Sequence, residues 1–223
     1  MNKILVVAAH PDDEILGVGG TLKKHINNGD EVYSLILGEG MTSRKENRDK
    51  TSEDDFKALY SDTYEAAEVI GFKEVYLSRL PDNRFDSIDL LDIIKEIEKY
   101  VSEIKPDIVY THHPGDLNID HQRTFKAVMT ACRPVGDYSV KEIYAFETPS
   151  STEWNLNYEE NSFDPNVFVD IEETIDAKLE AMKCYTSEIR DYPHPRSLKA
   201  LKTIAARWGT VVGKKYVEAF ELI

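Results

Sequence analysis

The sequence predicts an α/β fold: a Rossmann-like, mostly parallel sheet with helices on both faces. Three observations carry that prediction. The chain opens on an unbroken apolar run, Lys3–Ala9 (KILVVAA), of the kind a strand buried on both faces requires. Strand-like and helix-like segments then alternate, and crossovers of helix length imply parallel neighbours. The segments that follow the strands are rich in His, Asp, Asn and Arg, and in such sheets ligands bind at the carboxyl ends of the strands.

Each element has a local reason. After the first strand, Ile15, Val18, Leu22 and Ile26 fall on one helical stripe, which Asn28-Gly29 stops. Glu31–Leu37 is the second strand, and the charged loop Gly38–Lys50 follows it. Ser52–Ile70 reads as a helix with Phe56, Leu59, Tyr60, Thr63, Ala66, Ala67 and Ile70 inward, ended by Gly71. Glu74–Leu77 is a short strand, and the loop Ser78–Ser87 leads to an amphipathic helix on Leu90, Ile94, Ile97, Val101 and Ile104, closed by Pro106. Asp107–Thr111 is the next strand, followed by the loop His112–Asn118 and a helix carrying Phe125, Val128, Met129 and Cys132. Lys141–Phe146 and Val167–Asp170 are further strands, and Ile171–Ser187 and Ser197–Val212 are the last helices. No internal repeat is visible. Residues 1–223 therefore form a single domain with a C-terminal elaboration.

Composition narrows the functions. Lys and Arg number 27 against 41 Asp and Glu, a formal net charge of −14, so the surface repels phosphate backbones. Nucleic acid and anionic membrane are disfavoured as partners. No apolar run approaches the roughly 18–20 residues of a membrane span, and no targeting signal is legible, so a cytoplasmic protein is expected. The two cysteines, Cys132 and Cys184, are too few for a disulfide framework and sit in apolar helical patterns.

The first strand runs into His10-Pro11-Asp12-Asp13-Glu14. A dinucleotide fold would place a glycine fingerprint there to expose bare backbone to pyrophosphate. An imidazole and three carboxylates repel a pyrophosphate and suit a divalent cation. Gly17, Gly19 and Gly20 come one turn too late for the phosphate role and instead let the helix lie close to the sheet. His10 at the strand end and Asp13 in the first helical turn can converge on one ion, with Asp12 beside it, placed to act on a water. The competing reading makes Asp12 and Asp13 ordinary helix N-terminal carboxylates.

A second cluster, His112-His113-Pro114-Gly115-Asp116-Leu117-Asn118-Ile119-Asp120-His121, follows the fourth strand and opens on the same sheet edge. His121, at a helix start, is the best third ligand, with Asp120 or Asp116 to hold its other ring nitrogen. The competing reading makes Asn118 and Asp120 helix caps. Two such clusters at one edge favour a metal site.

These two motifs resemble the PIG-L (LmbE-like) family of zinc-dependent de-N-acetylases. The resemblance covers the whole chain. It implies a Rossmann-like fold, one zinc (ferrous iron is accepted by the same ligands) and hydrolysis of an N-acetyl group from a small amino sugar or glycoconjugate. It matches His10, Asp13 and His121 to the metal ligands and Asp12 to the general base, which would also return a proton to the leaving amine. Relatives often assemble, which implies a homo-oligomer. One position departs from the family pattern. Where members often carry a histidine that assists at the oxyanion, this chain has Asn118, a weaker donor, so His113 and His194 become candidates for that role.

Other loops are expected to supply specificity. Arg44, Asp82, Asn83 and Arg84 follow the second and third strands, and Trp154 follows the fifth, where it can stack on a sugar or serve as a lid. His194 lies between two prolines that stiffen its segment. Alternatives are a metal- or sugar-binding protein without turnover, which would not need Asp12, and an amidase acting on a non-acetyl amide. Phosphoester hydrolysis often uses two metals, and ligands for one are present.

Overall fold

A computed structural model of the chain describes residues 1–42, 52–136, 138–155 and 162–223. Its elements are β1 (Lys3–Ala8), α1 (Asp13–Asn27), β2 (Glu31–Gly38), α2 (Glu53–Ile70), β3 (Glu74–Leu80), α3 (Leu90–Ile104), β4 (Ile108–His112), α4 (Ile119–Ala131), β5 (Glu142–Phe146), β6 (Val167–Asp170), α5 (Ile175–Cys184), α6 (Leu198–Val212) and β7 (Val217–Leu222). The strands among the described residues join one seven-stranded sheet in the order β3-β2-β1-β4-β5-β7-β6. The pairs from β3 to β5 are parallel, while β7 runs antiparallel to both β5 and β6. The single mostly parallel α/β sheet is as expected.

The period of two along β1 divides the core. Ile4 and Val6 face a layer with Ile15, Val18 and Leu22 of α1, Ile70 of α2, Met182 of α5 and Leu201 of α6. Leu5 and Val7 face Ile93 and Ile97 of α3 and Val128 of α4. Each such fully buried aliphatic side chain contributes roughly 1.5–3 kcal/mol. The early glycines do bring α1 onto its neighbours: a Cβ on Gly17 would run into the Phe146 ring of β5, and one on Gly20 would lie 2.9 Å from Ile171.

β7 departs from the expectation, since the sequence reading left Val217–Leu222 without a strand. Its Glu218 is buried, and its carboxylate accepts from the Gly20 and Thr21 amides at 3.0 and 2.7 Å and from Lys178 Nζ at 2.6 Å. This inward charge broke the alternation that would have marked a strand. It also ties β7 to α1 and α5. β3 is longer than expected, and α5 is shorter. No described helix is long and apolar enough to cross a membrane.

β1 lies between β2 and β4, so the strand order reverses direction there and opens a crevice beyond their carboxyl ends. His10 lies two residues past the end of β1, His112 ends β4, and His113 to His121 follow it.

Candidate active site

A cavity of about 210 Å3 occupies this crevice. It is lined from the β1–α1 turn by His10, Asp12 and Asp13, from the loop after β2 by Gly40 and Met41, and from that after β3 by Asp82 and Asn83. Asn118 and His121 line it from the β4–α4 loop, Ser150 and Ser151 from the loop after β5, and Glu188 and Arg196 from the α5–α6 connection. Among the described residues five non-glycines have positive φ, and four of them line this cavity: Asp12 (φ 101°), Met41 (61°), Asn83 (53°) and Ser150 (74°). Such backbone persists only where its surroundings fix it, and it clusters at functional sites.

At the floor, three ligand atoms form a near-equilateral triangle. His10 Nδ1 lies 3.4 Å from Asp13 Oδ2, His121 Nε2 lies 3.3 Å from the same oxygen, and the two nitrogens are 3.3 Å apart. A tetrahedral ion held at about 2.0–2.1 Å spaces its ligands by roughly 3.3 Å, so the triangle fits one. The outer ring nitrogens face carboxylates. His10 Nε2 pairs with Asp120 Oδ2 at 2.9 Å and lies 3.3 Å from Asp82 Oδ1, which turns Nδ1 to the centre. His121 Nδ1 lies 3.2 Å from Asp116 Oδ1, which leaves Nε2 for the centre. Asp116 is fixed in turn by the Ser151 hydroxyl, by the Thr152 hydroxyl at 2.7 Å and by the Asn118 amide at 2.8 Å. Carboxylates behind both imidazoles are the usual support of metal-ligating histidines. Of the two expected partners for His121, Asp116 takes the place, and Asp120 supports His10 instead.

Electrostatics match this geometry. Burial opposes the charge on Asp13, but His121 and His10 hold it well below the usual carboxylate range. Burial also opposes charge on His121, yet Asp13 and Asp116 push it up to about 9. Positive charge is what this cluster demands at its centre. His112 is different. Its Nε2 accepts from the Ala9 amide at 2.9 Å, its Nδ1 pairs with the Thr148 hydroxyl at 3.1 Å, and burial takes it down to about 3. It is a neutral strut stacked on His121 at 3.9 Å, not a ligand.

Asp12 stands beside the triangle, 2% exposed. Burial raises its carboxyl well above the ordinary range, Arg196 opposes this, and Asp13, Glu188 and Glu14 add to it. Its amide donates to Glu14 Oε2 at 3.1 Å, and Arg196 Nη1 meets its Oδ2 at 3.2 Å.

Other expected residues fall differently. Asn118 lines the cavity, but its Oδ1 caps α4 by accepting from the Asp120 amide at 2.8 Å, and its Nδ2 donates to Asn83 Oδ1 at 3.0 Å. His113 is turned away from the cavity. Its Nε2 pairs with Glu221 of β7 at 3.1 Å, and its Nδ1 accepts from the Gly115 amide. His194 is also outside the lining, edge-on to Trp154 at 6.0 Å, with Nδ1 accepting from the Arg196 amide at 3.1 Å. Neither histidine lines the cavity. Asp82 and Asn83 line the cavity, whereas Arg84 is exposed and Trp154 is 48% exposed, both outside it. Arg44 lies outside the described residues. Arg196 and Glu188 escaped the sequence reading because they come from a connection that follows no parallel strand. The prolines of Pro193-His194-Pro195-Arg196 were the signal, but they drew attention to the imidazole and not to the guanidinium.

The chain is similar to several known proteins. Diacetylchitobiose deacetylase of Thermococcus kodakarensis is 26% identical over 235 residues, spanning 100% of this chain and 84% of the relative. Among solved structures, N,N′-diacetylchitobiose deacetylase from Pyrococcus horikoshii superposes with a TM-score of 0.80 at 24% identity, covering 100% of this chain and 84% of that one. GalB, the 4-carboxy-2-hydroxymuconate hydratase of Pseudomonas putida KT2440, shares the fold at a TM-score of 0.76 and 20% identity, covering 100% and 96%, so fold alone does not choose the reaction. The family model described as PIG-L, GlcNAc-PI de-N-acetylase, matches residues 5–132, which hold the loops of His10 to Asp13 and of His121 and more than half of the sequence. By that match the chain belongs to the PIG-L family of de-N-acetylases.

Proposed function

We propose that this protein is a zinc-dependent hydrolase that removes the N-acetyl group from an amino-sugar-containing small molecule. The observation that carries the reading is the His10–Asp13–His121 triangle with the Asp12 carboxylate beside it. A divalent ion on those three ligands supplies Lewis acidity to a water and to the amide carbonyl. Two nitrogens and one oxygen with a position left open are a donor set zinc takes in catalytic sites.

The chain's own groups do the proton work. Asp12 accepts a proton from the attacking water as its oxygen bonds to the carbonyl carbon. As the C–N bond breaks, Asp12 returns that proton to the nitrogen, giving acetic acid and a free amine, between which the second water proton then passes to leave acetate and ammonium. One carboxylate serves both steps because it ends the cycle as it began. Asp12 Oδ1 makes no hydrogen bond to the described residues, which leaves it for this task. Asp82 and Asn83 at the rim suit the hydroxyls of a sugar ring. The names of the Thermococcus and Pyrococcus relatives, both diacetylchitobiose deacetylases, make N,N′-diacetylchitobiose the first compound to try.

The test is primary-amine release from N,N′-diacetylchitobiose, N-acetylglucosamine and N-acetylglucosaminyl malate, with metal-loaded and chelator-treated protein. Release that disappears on chelation and returns with zinc is expected. A protein that carries one metal per chain yet releases no amine from any of them would point instead to binding without turnover.

A further inference from the structure

Arg196 has the strongest placement of any group that the reaction above leaves unused. Its guanidinium is braced from three sides. Nε donates to the Ser150 hydroxyl at 2.7 Å, and Nη1 donates to Glu188 Oε2 at 2.8 Å and to Asp12 Oδ2 at 3.2 Å. Glu188 is 3% exposed, and Ser187 Oγ holds its other oxygen at 3.1 Å. The backbone of Arg196 is fixed as well. Its amide donates to His194 Nδ1, prolines stand at 193 and 195, and Ser197 begins α6 by accepting from the Ala200 amide at 3.1 Å.

The same guanidinium holds two residues in left-handed backbone, Asp12 at φ 101° and Ser150 at φ 74°. Neither is glycine, so each conformation costs on the order of 1–3 kcal/mol and persists only when contacts over-determine it. Asp12 therefore has one carboxylate oxygen committed to Arg196 and the other uncommitted, at the edge of the metal triangle.

We propose that Arg196 is the positioning residue of Asp12: its planar fork, clamped by Ser150 and Glu188, holds Oδ2 so that Oδ1 stays turned to the reacting water. This deepens the deacetylase reading and rests on it. It also assigns the Pro193–Ser197 segment a purpose. His194 does not reach the reacting groups, but it fixes the backbone from which Arg196 does its work.

The experiment compares Arg196→Met, Arg196→Lys and Arg196→Ala with the wild-type chain on N,N′-diacetylchitobiose, recording kcat and KM separately together with bound zinc. A misplacement of about 1 Å costs roughly 10²-fold in rate, so Arg196→Met is expected to lose about that much in kcat, with KM within about threefold and zinc retained. Arg196→Lys is expected to recover only part of the loss, because an ammonium cannot serve Ser150, Glu188 and Asp12 with one planar fork. Guanidinium ion at non-denaturing concentration is expected to restore part of the kcat of Arg196→Ala, which a purely structural defect would not allow. A crystal structure of Arg196→Met, or of Arg196→Lys if the methionine variant does not fold, is expected to show the Asp12 carboxylate displaced. Three results would overturn the proposal: kcat within about threefold of wild type, a rise in KM alone (a substrate-gripping role), or an unmoved Asp12. Should the wild-type chain release no amine, the deacetylase reading fails by itself, and the crystallographic arm still decides whether Arg196 positions Asp12.

Discussion

His10, Asp13 and His121 are set apart from ordinary buried polar residues by the direction in which their lone pairs converge. His10 Nε2 pairs with Asp120 and Asp116 Oδ1 lies 3.2 Å from His121 Nδ1, so in both rings the other nitrogen is the one turned to Asp13. Asp116→Asn is accordingly expected to weaken zinc affinity by about 10–100-fold, measured by competition with a chromogenic chelator, while Asp12→Asn is expected to keep zinc and lose at least about 10³-fold in kcat. Cys132 offers a check on the fold. Burial pushes its thiol up to about 12, so in the native protein it should resist alkylation at pH 8, whereas the more exposed Cys184 should react first. Peptide mapping after a short exposure to iodoacetamide reads this directly.

Short local signals set the elements, and close approach sets how they meet. α2 begins at Ser52 with a reciprocal capping box to Asp55 and ends at Gly71 in the left-handed conformation. α6 begins at Ser197, whose hydroxyl accepts from the Ala200 amide. Ser197→Ala should cost about 1 kcal/mol in denaturant unfolding, and it should also loosen the backbone next to Arg196. Gly17→Val places a branched side chain where α1 meets the Phe146 ring, so a loss of at least 1–3 kcal/mol is expected by overpacking, read as a lower Tm. The helix boundaries were legible because caps and glycines are local. β7 was not legible, because its buried Glu218 makes sense only with the α1 amides and Lys178 in place around it.

Across the whole molecule, the site exists because the sheet order brings β1 and β4 side by side, gathering residues more than a hundred positions apart. An ion bound there binds the folded chain alone, so chelation should lower Tm and zinc should restore it in a thermal melt. Far from the cavity, Asp30 fastens the chain's start. Burial opposes its charge, but the Asn2 amide at 2.7 Å and His25 at 2.9 Å hold its carboxyl below the ordinary value. A depressed carboxyl contributes stability above its unfolded value of about 3.9 and loses it as pH falls through the folded one. The Tm difference between wild type and Asp30→Asn should therefore be largest near neutrality and shrink below about pH 4.

The sequence by itself determined the α/β class, the order of most elements, and His10, Asp13, His121 and Asp12 as the candidate site residues. Each is written in local spacing: a buried run that ends in a histidine, a carboxylate in the next helical turn, an Asp-His pair at a later helix start. Tertiary structure alone decided which carboxylate supports which imidazole, that Asn118 is spent on capping α4, that His113 faces β7, and that Arg196 reaches Asp12 from 184 residues away. The physical reason is range. Hydrophobic periodicity and caps act within a few residues, whereas a hydrogen bond across the cavity depends on how six separate segments pack, and nothing in the neighbouring sequence encodes that distance.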